Sequence, residues 1–394
     1  MAGRPSVNYL ADNAAFCILP WIHLSSTVDG VWGRCCFDTT NDYDFYYEQV
    51  EEPVFTLKPD ALGCSSGSRY ARDNPDQVFG LLEAFNSPNM RRTRLAMLAG
   101  KRPSACTFCY ERDDEGGESH RQVMNREYGA RVELDQLVAR TSADGSLDEF
   151  PIFLDIRLGN TCSLACIMCA FPVSSRLGVG KNPAWTTANV DPYRDDHDFW
   201  ATLAAHAKKL RYLYLAGGEP FQQPMHFRLL DLLIDAGAAS QIAVRYNSNL
   251  MTLPAGVFDK LCHFKSVVIA ASCDGTDKVF ETIRVGGRWT TFVQNVRLAK
   301  QHVEVLLDVS PQRDNVSNLR QLIEFAQDED IKIRLENYIH YPQELSLRNL
   351  PENVKRHQSK EIANLIVDCE KRNLKDEVRQ LKKLVAFMNL SPNI

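Results

Sequence analysis

Three cysteines of the 394-residue sequence, Cys162, Cys166 and Cys169, are spaced C-x3-C-x2-C directly after an apolar run typical of a β-strand. Three thiolates in one loop indicate a shared metal centre. A structural zinc site is closed by four protein ligands, and no fourth Cys or His follows in the local window. A [4Fe-4S] cluster held by three cysteines keeps one iron open for chemistry. The motif therefore predicts such a cluster, and the alternatives are free thiols or an incomplete zinc site.

This spacing, with Met168 just before the third cysteine, resembles the radical S-adenosylmethionine (radical SAM) superfamily. In that family the open iron is chelated by the amino and carboxylate groups of S-adenosylmethionine (SAM), and reduction cleaves SAM to a 5′-deoxyadenosyl radical. The resemblance implies that the three cysteines ligate the cluster and that Met168 belongs to the SAM site.

Further candidate SAM contacts follow the later strand-like runs. Gly217-Gly218-Glu219-Pro220 resembles the GGEP motif of the family, whose backbone and glutamate receive the SAM ammonium, although alone it would be an ordinary turn. Arg284 matches a family position near the SAM carboxylate, and its alternative is a surface salt bridge. The residues that resemble positions near the SAM ribose are Asn247, Ser248, Asn249, Ser272 and Asp274. Local turn capping is the alternative for each of them.

Near the start of the chain, the pair Asp29-Gly30 separates two β-rich runs and predicts a hairpin with a type I′ turn. Counting back from the turn places Cys35 opposite Leu24. The adjacent Cys35 and Cys36 would point to opposite faces of the strand. Only one of them can then easily join Cys17 at a metal, and Cys35 is favoured.

Cys106 and Cys109 form a C-x2-C pair that makes a four-thiolate set with Cys17 and Cys35. Such a set could bind zinc or carry a second iron-sulfur cluster. The arrangement resembles the SPASM/twitch subgroup of radical SAM enzymes, whose small extra domain holds an auxiliary [4Fe-4S] cluster. That domain usually follows the barrel, whereas here it precedes it. The resemblance favours a cluster over zinc.

Beyond residue 150, strands alternate with helices, which indicates an α/β fold of parallel βαβ units. The predicted strands are 152–157, 212–215, 242–246, 267–271, 303–309 and 331–335. Six strands suit the partial (β/α)6 TIM-like barrel of the superfamily, in which loops at the carboxyl ends of strands build the active site. The predicted units are an auxiliary-cluster domain (1–145), the barrel (150–340) and a C-terminal extension (341–394) with one amphipathic helix. The Gly- and Pro-rich segment 171–195 is predicted to cover SAM or contact substrate.

The composition is that of an ordinary globular protein. A net charge of −5 with interspersed basic and acidic residues gives no reason to expect nucleic acid or an anionic membrane as partner. The sequence has neither an apolar signal core nor a run long enough to span a membrane, so a cytoplasmic location is expected. Its twelve cysteines are then interpreted as ligands and free thiols instead of disulfides.

The resemblance implies an enzyme that abstracts hydrogen from an unactivated C–H bond of its substrate, but it does not name that substrate. No small helix-rich module of the kind that binds leader peptides is recognised before Cys17, so a small or sugar-bearing substrate, epimerised or oxidised, is expected. An external electron donor such as flavodoxin or ferredoxin would be its partner. Cys273 is the candidate hydrogen donor for epimerisation because an S–H bond is weak, although strand alternation places it opposite Ser272 and Asp274. The alternatives are a maturase of ribosomally made peptides and a metal-stabilised binding scaffold without activity.

Overall fold

The computed structural model describes residues 9–38, 57–169, 173–177 and 189–390. About half of the segment 171–195, predicted to cover SAM or substrate, lies outside these residues. The strands are β1 (His23–Ser26), β2 (Trp32–Gly33), β3 (Phe153–Ile156), β4 (Tyr212–Leu215), β5 (Ala243–Ser248), β6 (Ser266–Ser272), β7 (Glu304–Asp308) and β8 (Lys332–Arg334).

Helices precede, alternate with and follow the strands. Those before β3 are α1 (Tyr9–Asp12), α2 (Leu19–Ile22), α3 (Leu81–Phe85), α4 (Pro88–Leu98), α5 (Thr107–Asp114), α6 (His120–Gly129) and α7 (Leu134–Ala139). Those after it are α8 (His197–His206), α9 (His226–Asp235), α10 (Val257–Leu261), α11 (Asp277–Ile283), α12 (Trp289–Ala299), α13 (Leu319–Asp328), α14 (Glu352–Lys371) and α15 (Lys375–Met388). Short 3₁₀ turns are Pro75–Gln77, Ser104–Cys106, Ala207–Lys209, Pro220–Gln222, Ala239–Gln241, Val316–Asn318, Gln343–Leu345 and Leu347–Asn349.

The strands form one sheet in the order β2-β1-β3-β4-β5-β6-β7-β8, in which only β1 and β2 are antiparallel. The predicted α/β fold with six parallel barrel strands is confirmed, and each predicted strand overlaps an observed one. The predicted helical C-terminal extension is present, but it is divided. Two helices, α14 and α15, are separated by a turn in which Asn373 adopts a left-handed φ of +59°.

The predicted hairpin forms, but its turn differs from type I′. Such a turn needs a positive φ at both central residues, whereas Gly30 has a φ of +76° and Asp29 has no positive φ. The connection therefore holds three residues, 28–30, and the extra residue shifts the strand register. In the observed register Leu24 lies opposite Arg34, so the prediction that it faces Cys35 is wrong by one position.

The hairpin continues the barrel sheet, because β1 pairs in parallel with β3. Ser25 of β1 is the neighbour of Asp155 on β3. Helix α6 also lies against this region: the ring of Tyr128 packs on the rings of Phe153 and Tyr212, with centroids 5.3 and 4.9 Å apart. The N-terminal residues and the barrel strands therefore share one sheet and one apolar core.

The two faces of the sheet differ in chemistry. In β5, Val244, Tyr246 and Ser248 are buried, and Tyr246 stacks on Phe221 on the helix side of the sheet. The alternate residues Arg245 and Asn247 are half-buried on the opposite face, which we call the inner face. The inner face carries the polar groups of the barrel.

None of the helices in the described ranges has the length and apolar character required to cross a membrane.

Candidate functional site

The three motif cysteines lie in the loop that follows β3, at the carboxyl end of the barrel strands. The backbone of this loop is fixed against the end of α11, since Ala165 N donates to Val285 O at 2.9 Å and Ile167 N donates to Ile283 O at 3.0 Å. These hydrogen bonds fix the loop that follows β3 to the helix of another βα unit of the barrel. A cluster bound by it would stand over the carboxyl ends of the strands.

Gly217 and Gly218 pack directly on the cysteine loop. The amide of Gly218 donates to Gly159 O at 3.2 Å, and a Cβ on Gly218 would lie only 2.4 Å from Thr161 O. Because the obstructing atoms are backbone, they cannot simply move aside. The two glycines therefore let the loop after β4 touch the cysteine loop.

The Glu219 side chain, 1% exposed, ties the ends of β4 and β5 together. Its Oε1 accepts from Ser248 Oγ and its Oε2 from Asn249 N, both at 2.7 Å. Burial raises the pKa of Glu219 to about 7, although these hydrogen bonds oppose the shift. Pro220 begins the 3₁₀ turn that follows. Contact between Glu219 and the SAM ammonium stays a prediction, and in this structure both carboxylate oxygens already have donors.

N–H groups are directed at two of the motif sulfurs. Cys162 Sγ accepts from Leu164 N at 3.4 Å and from Asn249 Nδ2 at 3.7 Å. Cys166 Sγ accepts from Arg284 Nη1 at 3.8 Å. Such bonds stabilise negatively charged thiolates and are among the protein groups that tune iron-sulfur clusters. The donor set of this loop therefore fits the predicted [4Fe-4S] cluster.

Arg284 and Asp274, predicted separately as SAM carboxylate and ribose contacts, form an ion pair with an Nη2–Oδ2 distance of 2.6 Å. The other oxygen of Asp274 accepts from Ser310 N at 2.7 Å. Asp274 has no exposed surface, so its carboxylate positions Arg284 instead of facing a ribose in this structure. The pair is buried, and the alternative of a surface salt bridge for Arg284 is wrong.

The other residues predicted to contact SAM differ in the exposure of their side chains to solvent. Ser248 is buried and holds Glu219, whereas Met168, Asn247 and Ser272 keep part of their surface accessible. Asn247 Nδ2 donates to Asp308 Oδ2 at 3.1 Å on the inner face. Contacts of these residues with SAM stay predictions.

Cys273 is a core residue in this structure. It has no exposed surface, and its thiol donates to Gly275 O at 3.4 Å. Strand alternation places it on the helix side of the sheet, as the sequence already indicated. A thiol without accessible surface cannot reach a bound substrate, so its interpretation as the hydrogen donor is not supported by the geometry.

Replacing Cys273 by alanine is expected to lower the free energy of unfolding by about 1–2 kcal/mol, because a small apolar group leaves a well-packed core. The rate of 5′-deoxyadenosine formation from SAM should stay at the wild-type value. Chemical denaturation and chromatography of the reaction mixture measure the two quantities. A loss of substrate turnover with unchanged SAM cleavage would restore Cys273 as the donor.

Cys106 and Cys109 raise the pKa of both other N-terminal cysteines, Cys17 and Cys35, although burial is the larger cause at each thiol. At Cys36, the charge of Asp155 raises the pKa of the thiol more than the charge of Cys109 does. This placement supports Cys35 as the ligand, which stays a prediction.

No three His, Cys, Asp or Glu side chains converge on a single-ion position anywhere in the described parts of the chain. A tetrahedral zinc site would bring its sulfurs to about 2.3 Å from one atom. A four-iron cluster spreads its cysteine ligands further apart, because each binds a different iron. An auxiliary cluster at the four N-terminal cysteines stays a prediction.

Sequence reasoning missed the polar groups of the inner face. They include two ion pairs, Arg157 Nη1 with Asp155 Oδ1 at 2.9 Å and Arg334 Nη2 with Asp308 Oδ2 at 2.6 Å. Their signal in the sequence is a polar residue at alternate positions of an otherwise apolar strand. The inner face is thus a charged surface below the cysteine loop.

Residues 156–326 match the family described as the radical SAM superfamily. This segment is a radical SAM domain. The match includes the cysteine loop, the GGEP turn and Arg284. The match of this segment supports the predicted [4Fe-4S] cluster at Cys162, Cys166 and Cys169 and SAM as the cofactors of the domain.

Solved structures similar to the chain are distant. SuiB of Streptococcus suis bound to the precursor peptide SuiA is 16% identical over 68% of this chain and 60% of its own, with a TM-score of 0.42. Native anSMEcpe with bound AdoMet is 14% identical over 55% of this chain and 60% of its own, with a TM-score of 0.41. The chain thus spans about 60% of the length of these proteins. No curated protein matches its sequence.

Proposed function

We propose that the chain is a radical SAM enzyme that abstracts hydrogen from an unactivated C–H bond of a small or sugar-bearing substrate and thereby oxidises it. The observation that carries this proposal is the cysteine loop: three thiols at the carboxyl end of β3, with N–H donors on the sulfurs of Cys162 and Cys166, inside the segment that matches the family. When bound and reduced, the cluster would supply the 5′-deoxyadenosyl radical from SAM.

The residues of the chain have separate tasks in this proposal. Asn249 and the amide of Leu164 stabilise the thiolate of Cys162. Arg284 places a positive charge beside Cys166 and is itself held by Asp274. The inner face receives the substrate below the loop, where the surrounding strands exclude water from the reacting carbon.

Oxidation is favoured over epimerisation by the burial of Cys273 and by the predicted auxiliary cluster. Cys273 has no exposed surface and cannot return hydrogen to a substrate radical. The cysteines at 17, 35, 106 and 109 would hold the auxiliary cluster, which supplies a one-electron acceptor when bound. Burial and then the charge of Arg334 on the inner face lower the pKa of His120 on α6, which supports a position of the proposed auxiliary cluster near the proposed substrate site. An external flavodoxin or ferredoxin would provide the electrons for SAM cleavage.

The metal content of anaerobically reconstituted protein tests the second cluster. We expect about eight irons and eight acid-labile sulfides per chain for two [4Fe-4S] clusters. A Cys106→Ala/Cys109→Ala variant should keep about four irons and still form 5′-deoxyadenosine, because the cysteine loop is intact. The matched control is Cys262→Ala, an exposed cysteine whose loss should leave the iron content unchanged.

Two results would contradict this part of the proposal. About four irons with one zinc in the wild-type protein would identify the auxiliary site as a zinc site. Full iron retention in the double variant would show that Cys106 and Cys109 bind no metal.

A further inference from the structure

Tyr214 of β4 and Arg245 of β5 are direct neighbours across the two strands. Both occupy inner-face positions, since the residues before and after them are buried on the helix side. Both are half-buried and keep part of their surface open to the interior. A phenol and a guanidinium therefore lie side by side below the cysteine loop.

The other charged groups of this face already have partners. Asp308 binds Arg334 through two hydrogen bonds, of 2.8 and 2.6 Å, and Asp155 binds Arg157. Within the ranges that the structure describes, Arg245 makes no hydrogen bond or ion pair, and neither does Tyr214. These two side chains are the ones left available to a ligand.

The electrostatic surroundings of Arg245 favour an anion. Burial and then the charge of Arg334 lower the pKa of Arg245. Burial by itself lowers the pKa of Arg334, but its surroundings, Asp308 first and then Tyr214 and Glu336, together raise this pKa above its usual value. The remaining carboxylate near Arg245 is that of Glu127 on α6, which lies 3.8 Å from Arg131. A partly buried cation without a counter-ion is costly, and a bound anion would remove that cost.

The charge balance indicates a single negative charge. The inner-face groups considered are two carboxylates, Asp155 and Asp308, and three guanidiniums, Arg157, Arg245 and Arg334. Two of the guanidiniums are neutralised by these ion pairs, so the positive charge of Arg245 remains without a counter-charge. A carboxylate carries one charge and matches the planar fork of one guanidinium, while a phosphate dianion would require further cations.

The depth of Arg245 separates it from the SAM site. Arg245 precedes Asn249 by four residues, and the amide of Asn249 donates to Cys162 Sγ. At a rise of about 3.3 Å per residue, this is roughly 13 Å along the chain. The SAM carboxylate must reach the cluster itself, so the anion at Arg245 belongs to another molecule.

We propose that Arg245 and Tyr214 form a subsite for the carboxylate of the substrate, which is therefore a carboxylic acid. This inference rests on the proposed function and deepens it by naming the substrate class. Arg245 binds both carboxylate oxygens, and the hydroxyl of Tyr214 donates a third hydrogen bond. The subsite anchors the far end of the substrate while its reacting carbon faces the cysteine loop.

Saturation-transfer difference NMR on the SAM-loaded holoenzyme with oxidised clusters tests this site. The probe is propionate, and propionamide is its neutral counterpart of the same shape. The propionate signal should exceed the propionamide signal at least about fivefold in wild type and fall to its level in Arg245→Met. Tyr214→Phe should give an intermediate signal. The matched control, Arg297→Met, removes an exposed arginine bonded to Glu329 and should keep the wild-type signal.

Equal propionate signals in wild type and Arg245→Met would overturn the inference, as would equal signals for propionate and propionamide in wild type. Displacement of propionate by glucuronate identifies a sugar acid as the source of the carboxylate, whereas displacement by acetyl-dialanine identifies a peptide terminus. If neither displaces it, the site does not bind a substrate carboxylate. Wild-type holoenzyme that shows Arg245-dependent binding but forms no 5′-deoxyadenosine would contradict the proposed function alone.

Discussion

Replacing Cys162, Cys166 and Cys169 together by alanine is expected to abolish SAM cleavage and to remove about four of the irons from each chain. The loop would lose every sulfur that can ligate the SAM-binding cluster, while the N-terminal cysteines remain. Iron analysis and chromatographic detection of 5′-deoxyadenosine after reduction with dithionite measure both effects. The control is Cys262→Ala, which should match wild type in both assays.

Formation of 5′-deoxyadenosine at the wild-type rate by this triple variant would show that the cysteine loop is not the catalytic centre. Loss of all iron would indicate instead that the fold of the chain depends on the loop. The two outcomes differ in circular dichroism, since the second would also change the secondary structure content.

Replacing Arg284 by methionine is expected to destabilise the protein by about 3–5 kcal/mol, which is the usual cost of leaving a buried charge without its partner. Asp274 would lose the guanidinium that lies 2.6 Å from its carboxylate. Asp274 itself has no exposed surface, so water could not replace this partner. SAM affinity should fall as well, because Cys166 loses an N–H donor. The midpoint of urea unfolding of the reconstituted protein measures the first effect.

A second substitution separates charge from packing in this result. Arg284→Met combined with Asp274→Asn should recover most of the lost stability, because the unpaired charge is gone while the cavity and the lost sulfur contact remain. The control Arg297→Met breaks an exposed ion pair and should unfold close to wild type. Equal unfolding midpoints for Arg284→Met and wild type would show that the buried pair contributes little.

Much of the fold follows from short-range sequence signals. The six barrel strands were predictable because each is a short apolar run bounded by turns, and β4 is observed at the predicted limits of 212–215. The predicted turn type and register of the hairpin were wrong because loop length depends on the conformation of one residue, Asp29, whose φ the sequence does not determine. The turn at Asn373 was missed for a similar reason, since one residue in the left-handed region divides an otherwise continuous amphipathic pattern.

The candidate site shows where sequence reasoning reaches its limit. The cysteine motif and Gly217-Gly218 are local patterns and could be found directly. The pairing of Arg284 with Asp274 and the bond from Ser248 to Glu219 join distant parts of the chain, and only tertiary structure brings them together. Tyr214 and Arg245 required the strand register, because nothing in the sequence says which residues of two strands are neighbours.

The most direct measurement is the electron paramagnetic resonance spectrum of the reduced Cys106→Ala/Cys109→Ala variant with and without SAM. Only the cluster at Cys162, Cys166 and Cys169 would contribute to this spectrum. Binding of SAM to its open iron changes the ligand field, so the g values are predicted to shift on addition of SAM. Identical spectra with and without a saturating concentration of SAM would contradict the account.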